Sequence, residues 1–144
     1  MFENKKVKIL DLACGHGRHV VELSKRGYDV VGIDKNSLFL DEARKSASRN
    51  GVKIRLIKTD IRKINFKSEF DCVVCMSCAF GYFSDDDNFR VIKKADRALK
   101  IDGKLFLDID NREIIPGLAE QVWKESPDGS KILIKRRFNL KTVN

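Results

Sequence analysis

Three carboxylates and one glycine-rich turn hold most of the chemistry in this sequence. Ile9-Leu10-Asp11-Leu12-Ala13-Cys14-Gly15-His16-Gly17-Arg18-His19 reads as a buried strand that ends in a glycine turn and opens a helix. Glycines at such a turn let a ligand approach the backbone at the carboxyl edge of a sheet. Asp34 ends a second apolar run, 19 residues beyond Gly15. A carboxylate in that place can accept hydrogen bonds from both hydroxyls of a ribose. Asp60 ends a third run. If the three runs are successive parallel strands, the acids Asp11, Asp34 and Asp60 converge on one crevice.

Other constellations point to less. Cys72, Cys75 and Cys78 have the spacing of an iron–sulfur run, but Tyr82 stands where the fourth cysteine belongs. On a strand, Cys72 and Cys78 face one side and Cys75 the other, so they read as core thiols. His16 and His19 lie near Cys14, with no fourth ligand at zinc-finger spacing. No metal site is expected. No His, Cys or Lys is placed to be named as a general base.

The elements that position these residues alternate. Val7 to Leu12 form the first strand, and Arg18 to Arg26 a helix closed by Gly27. Tyr28 to Asp34 is a strand, and Asn36 or Ser37 caps a helix to Arg49. Lys53 to Lys58 and Phe70 to Met76 are strands. Ser84-Asp85-Asp86-Asp87 suits a helix N-terminus, where carboxylates meet the positive end. That helix runs to Lys100, Asp102-Gly103 turns the chain, and Lys104 to Asp110 is a fifth strand. Such alternation implies a doubly wound, mostly parallel α/β sheet. Beyond it, Pro116-Gly117 interrupts the chain. Val122–Glu125 and Lys131 to Leu140 flank the turn Pro127-Asp128-Gly129-Ser130, a C-terminal antiparallel hairpin.

A chain of 144 residues, 42% hydrophobic and 35% charged, fits one globular domain and excludes a disordered or collagen-like one. No apolar run approaches the length needed to cross a membrane, and no secretion signal opens the chain, so reduced thiols and a cytoplasmic location are expected. The net charge is +8. Nine cations and three anions lie between Asp41 and Lys67, and six cations and two anions from Lys124 onward. Aromatics are not interleaved with them, as a single-strand-binding groove requires.

Taken together, the sequence resembles the class I S-adenosylmethionine-dependent methyltransferases. Asp11 to His19 is similar to the family's first motif, and Val30-Val31-Gly32-Ile33-Asp34 to its second. Lys58-Thr59-Asp60-Ile61 resembles the acidic step after the third strand, and Phe70 to Met76 the fourth strand. Ala98-Leu99-Lys100-Ile101-Asp102-Gly103-Lys104-Leu105 resembles the helix–Gly–strand passage. The likeness covers Lys8 to Asp110. It implies a Rossmann-like fold and S-adenosylmethionine as cofactor. Ala13, Gly15 and Gly17 would meet the cofactor's amino-acid part, with Asp11 orienting the loop and His19 beside it. Asp34, followed by Lys35, would hold the ribose. Asp60 and the Ile61 amide would meet the adenine, and Met76 would lie near the adenine or sulfur. Ala13 and His19 stand where many members carry glycine.

A nicotinamide dehydrogenase is the rival nucleotide reading, but Val20 occupies the place of its third glycine. After the fourth strand the sequence reads Met76-Ser77-Cys78-Ala79-Phe80-Gly81-Tyr82-Phe83, without the signatures of base-modifying methyltransferases. Phe80, Tyr82 and Phe83 are the expected substrate-pocket aromatics. The expectation is a small-molecule acceptor, with RNA, or a silent cofactor-binding module, as alternatives. The family's N-terminal cover and last strands are expected to be lacking here, so the chain is read as a fragment of a longer protein. The expected organisation is a cofactor-binding core, 1–110, and an extension, 111–144, in the same domain, with self-association through exposed sheet surface.

Overall fold

The computed structural model describes residues 6–110, 121–125, 129 and 131–135. Five strands form one parallel sheet: β1 (Lys8–Leu12), β2 (Asp29–Asp34), β3 (Arg55–Lys58), β4 (Phe70–Cys75) and β5 (Leu99–Leu107). Their order is β3-β2-β1-β4-β5, so the chain starts at the centre and winds outward in both directions. The helices are α1 (Arg18–Lys25), α2 (Ser37–Arg49) and α3 (Asp85–Ala98), with a short 3-10 turn at Ile61–Lys63. This is the expected parallel α/β arrangement.

Period-two alternation along the strands divides the core between the two faces. Val7, Ile9 and Val30 pack with Val20 of α1 and Leu40 of α2. Leu10, Leu12, Val31, Ile33 and Val73 pack with Val91, Ala95 and Ala98 of α3. Cys72 joins the first cluster and Cys75 the second, so the strand separates these two thiols as alternation requires. Burial pushes the Cys75 thiol up to about 11 and the Cys14 thiol up to about 12, reinforced in both by the Asp11 charge. Neither is a ready nucleophile.

Helix starts follow local chemistry. The Asn36 side chain accepts from the Leu38 amide at 3.0 Å, and Ser84 Oγ accepts from the Asp87 amide at 3.4 Å. α1 starts at Gly17, whose φ is +77°. A Cβ there would sit 2.6 Å from Ala43 Cβ on α2, so Gly17 permits close approach of the two helices. Gly17→Ala is expected to destabilise the protein by roughly 2–4 kcal/mol, left-handed strain adding to overpacking. A urea melt with an unchanged slope and lowered midpoint checks this.

Two strand starts in the parallel sheet differ from the sequence expectation by more than one residue. β3 begins at Arg55, where pairing with Val31 begins. β5 begins at Leu99, directly after α3, because Asp102-Gly103 does not break the strand. The ladder steps from Phe70↔Leu99 to Cys72↔Lys104, so extra β5 residues are absorbed in a bulge where Asp102 has φ +64°.

The chain divides into two units, Met1–Ile109 and Asp110–Asn144. In the second, Gln121–Glu125 pairs antiparallel with Lys131–Lys135 as a separate two-stranded sheet. Pro116-Gly117, most of the Pro127 to Ser130 turn, and the stretch to Leu140 lie outside the described residues. Among the described residues, no helix is long and apolar enough to cross a membrane.

Candidate functional site

The carboxyl ends of the central strands carry two adjoining cavities. The larger, about 500 Å³, is lined by Asp34, Lys35, Phe39, Asp60, Tyr82 and Phe83 among others. The smaller, about 370 Å³, is lined by Asp11, Gly15, His16, Arg18, His19, Met76 and Ser77 among others. Ala13 lines both. Of the three strand-end acids, Asp34 and Asp60 therefore share one cavity, and Asp11 stands in the next.

Asp34 organises the crossing between loops. Its Oδ2 accepts the Gly15 amide at 2.9 Å and its Oδ1 the Asn36 amide at 2.8 Å. One carboxylate thus ties the turn after β1 to the turn after β2, and each oxygen keeps a further lone pair. Gly15 has φ +54°, and a Cβ there would meet open space, so its glycine is required by the backbone turn. Ala13 adopts φ +58° with a side chain, a conformation that costs roughly 1–2 kcal/mol.

Asp11 is 1% exposed, and its Oδ2 is buried without a hydrogen-bond partner among the described residues. Burial, aided by the Asp34 charge, raises its pKa to about 7. An unpartnered acid on the wall of a cavity fits a bound cation. Beside it, α1 opens with no side-chain cap, which leaves its first amides for an anionic group. Arg18 Nη2 donates to Ser77 Oγ at 3.2 Å, placing a guanidinium at the same mouth. His19 is held below its usual pKa by burial and by Arg18, while Asp108 opposes the shift.

The turn after β4 is tight. Ser77 and Cys78 have φ +58° and +55°. Asp108 clamps them: its Oδ2 accepts the Ser77 amide at 2.9 Å, and its carbonyl accepts the Cys78 amide at 3.2 Å. Strain of this kind persists where surrounding contacts determine it.

Asp60 lines the larger cavity, and its oxygens are already engaged. Arg62 Nη2 donates to Oδ2 at 2.7 Å, and the Arg62 amide donates to Oδ1 at 2.9 Å. The Arg62 guanidinium holds the Asp60 carboxyl down at about 2. Gly17 lies against Ala43 of α2, where a Cβ would not fit. Phe80 and Phe83 both pack against the core cluster that includes Val91 and Ala95, and Phe83 also lines the cavity with the largely exposed Tyr82. Arg62, Phe39, Arg18 and Asp108 were not singled out from the sequence. Their signal is spatial, apart from Arg18, which directly follows the glycine turn. Among the described residues no cluster of His, Cys, Asp and Glu could hold a metal ion.

A parallel sheet opened by a glycine turn, with a carboxylate ending β2 and a cleft across the strand ends, defines a nucleoside-cofactor-binding α/β domain. The match to a family model described as "Methyltransferase domain", over residues 9–103, specifies this further. The chain belongs to that family, among the class I S-adenosylmethionine-dependent methyltransferases. It is 31% identical over 116 residues to a glycine/sarcosine N-methyltransferase of Aphanothece halophytica, covering 78% of this chain and 44% of that protein. It is 33% identical over 135 residues to a ubiquinone biosynthesis O-methyltransferase of Actinobacillus pleuropneumoniae, covering 85% and 56%. A solved S-adenosylmethionine-dependent methyltransferase of Clostridium acetobutylicum superposes with a TM-score of 0.75 at 26% identity, covering 85% of this chain and 51% of that one. The chain thus spans about half the length of these relatives.

Proposed function

We propose that the chain is the cofactor-binding core of a cytoplasmic enzyme that transfers a methyl group from S-adenosylmethionine to a small molecule. The observation that carries this reading is the paired cavity, with Asp34 facing one half and the unpartnered Asp11 the other. These residues fit the two ends of the cofactor. Asp34 would accept from the ribose hydroxyls, with Lys35 and Asn36 alongside. Asp60 and Ile61 would face the adenine. Asp11 would balance the ammonium, and Arg18 with the α1 amides would receive the carboxylate.

When bound, S-adenosylmethionine supplies a methyl group on a positively charged sulfur, ready for in-line attack. The chain's own task is to align the reactants and exclude water, the proximity contribution to catalysis. Met76 and Ser77 close the smaller cavity. The clamped Ser77–Cys78 turn fixes that wall through Asp108. No described residue is assigned as a general base.

The small-molecule acceptor is supported by relatives that act, by name, on glycine and sarcosine or in ubiquinone biosynthesis. Position supports it too. The exposed cations Arg55 and Lys58 lie on β3, the outer strand opposite β4 and β5. Titration calorimetry with S-adenosylhomocysteine tests the cofactor assignment. Saturable heat at one site per chain is expected. A folded chain that gives no heat at ligand concentrations in the millimolar range would defeat it.

A further inference from the structure

We infer that Arg62 is a positioning residue for the purine end of the cofactor, holding Asp60 and the Phe83 wall in a fixed relation across the larger cavity. This rests on the functional reading above.

The geometry is that of a three-way tie. Arg62 Nε lies 3.1 Å from Asp60 Oδ1 and 3.2 Å from Oδ2, and Nη2 lies 2.7 Å from Oδ2. Its other terminal nitrogen, Nη1, donates to Asp87 Oδ2 at 3.0 Å. Its guanidinium carbon stands 4.3 Å from the centroid of the Phe83 ring. One side chain thus joins the end of β3, the first turn of α3 and the segment between β4 and α3. Asp60, Phe83 and the neighbouring Tyr82 all line the same cavity.

The arrangement exceeds an isolated surface pair. A planar guanidinium spends its fork on one carboxylate, one edge on a second, and its face on an aromatic ring. Asp87 is itself held by Arg90 at 3.1 Å and by the hydrogen bond that its backbone amide donates to Ser84 Oγ. Removing Arg62 leaves Asp60 and Asp87 without their common cation and Phe83 without its stacking partner. Both changes fall on the wall that would face the base. Neither touches the cavity of Asp11, Arg18 and Met76. Arg62 also compensates the charge of Asp60, so that a neutral base can lie beside that carboxylate without facing an isolated anion.

The test is calorimetric titration of the 144-residue chain with S-adenosylhomocysteine and with 5′-methylthioadenosine, which lacks the amino-acid end. Wild type is compared with Arg62→Gln, Arg62→Lys, Asp60→Asn and the Asp60→Asn/Arg62→Gln double variant. Arg62→Gln is expected to weaken both ligands by the same factor, about ten- to a hundredfold. Arg62→Lys recovers part of the loss, because a compact ammonium replaces the fork. The double variant binds no more weakly than Asp60→Asn alone, to within about twofold. Unchanged affinity in Arg62→Gln overturns the assignment, as does a loss confined to S-adenosylhomocysteine. Additive losses in the double variant also overturn it. Should Arg62→Gln fail to fold, wild-type affinity in Arg62→Lys overturns it instead. A wild-type chain that binds neither ligand defeats the functional reading and this inference together, whereas binding that is indifferent to Arg62 defeats this inference alone.

Discussion

Asp11→Asn is expected to stabilise the unliganded protein above about pH 7, by on the order of 4 kcal/mol. The Asp11 carboxyl has a folded pKa of about 7 against an ordinary value of 3.8, chiefly because it is buried. Below both values it is protonated folded and unfolded, and contributes nothing to the pH dependence. Between them the unfolded chain ionises first, so stability falls as pH rises. Above about 7 both states are ionised and the full penalty remains. Urea melts across this range should show a declining stability in wild type and a flatter profile in Asp11→Asn. An amide that finds no partner for its own N–H groups will return part of the gain. The binding consequence has the opposite sign. A bound ammonium favours ionised Asp11, so wild-type affinity for S-adenosylhomocysteine should rise from about pH 5 to about pH 7. Asp11→Asn should bind more weakly and lose that rise. Identical pH profiles for the two proteins would remove Asp11 from both roles.

Asp34→Ala is expected to lower S-adenosylhomocysteine affinity by about 1.5–3 kcal/mol, the scale of hydrogen bonds to a charged group. It should also destabilise the unliganded fold by roughly 1–3 kcal/mol, since the Gly15 and Asn36 amides lose their acceptor. The two losses have separate readouts, calorimetry for the first and denaturant unfolding for the second. Asp34→Asn divides them. Its remaining carbonyl can keep one backbone amide, but the charge is gone and the amide nitrogen faces a donor. Unchanged affinity in a folded Asp34→Ala protein would remove Asp34 from the ribose role.

The central strands and the glycine turn were legible because their determinants are local. Ile9 to Leu12, with Asp11 inside it, and Val30 to Ile33, closed by Asp34, are buried runs too short for helices. Asn36 and Ser84 announce α2 and α3 through side chains that bond the amides just beyond them. What escaped the sequence is held by partners distant along the chain. Asp60 reads as a strand-end acid, but its link through Arg62 to Asp87 exists only once β3 and α3 are adjacent. Phe80 and Phe83 are equally aromatic and both pack against the core, and only the fold brings Phe83 to the cavity as well. Asp102-Gly103 has the composition of a turn, yet the β4 ladder carries the chain through it as a bulge. Gly15 and Gly17 look alike in the sequence, and only the fold shows that Ala43 adds a packing constraint at Gly17.

The sheet order has a consequence for how the molecule assembles. β1 lies at the centre and pairs on one side with β2, Ile9 against Val30, and on the other with β4, Ile9 against Cys72. The second pairing closes a loop about three times longer, at an added entropic cost of roughly 1 kcal/mol. Topology therefore favours early docking of β1 with β2 and late docking of β4 and β5. During synthesis from the N-terminus the same order holds, because the strands of the first half emerge first. The half that bears Asp11 and Asp34 takes shape before the half that bears Asp108, so conservative truncations in β1–β2 should slow refolding while those in β5 mainly speed unfolding.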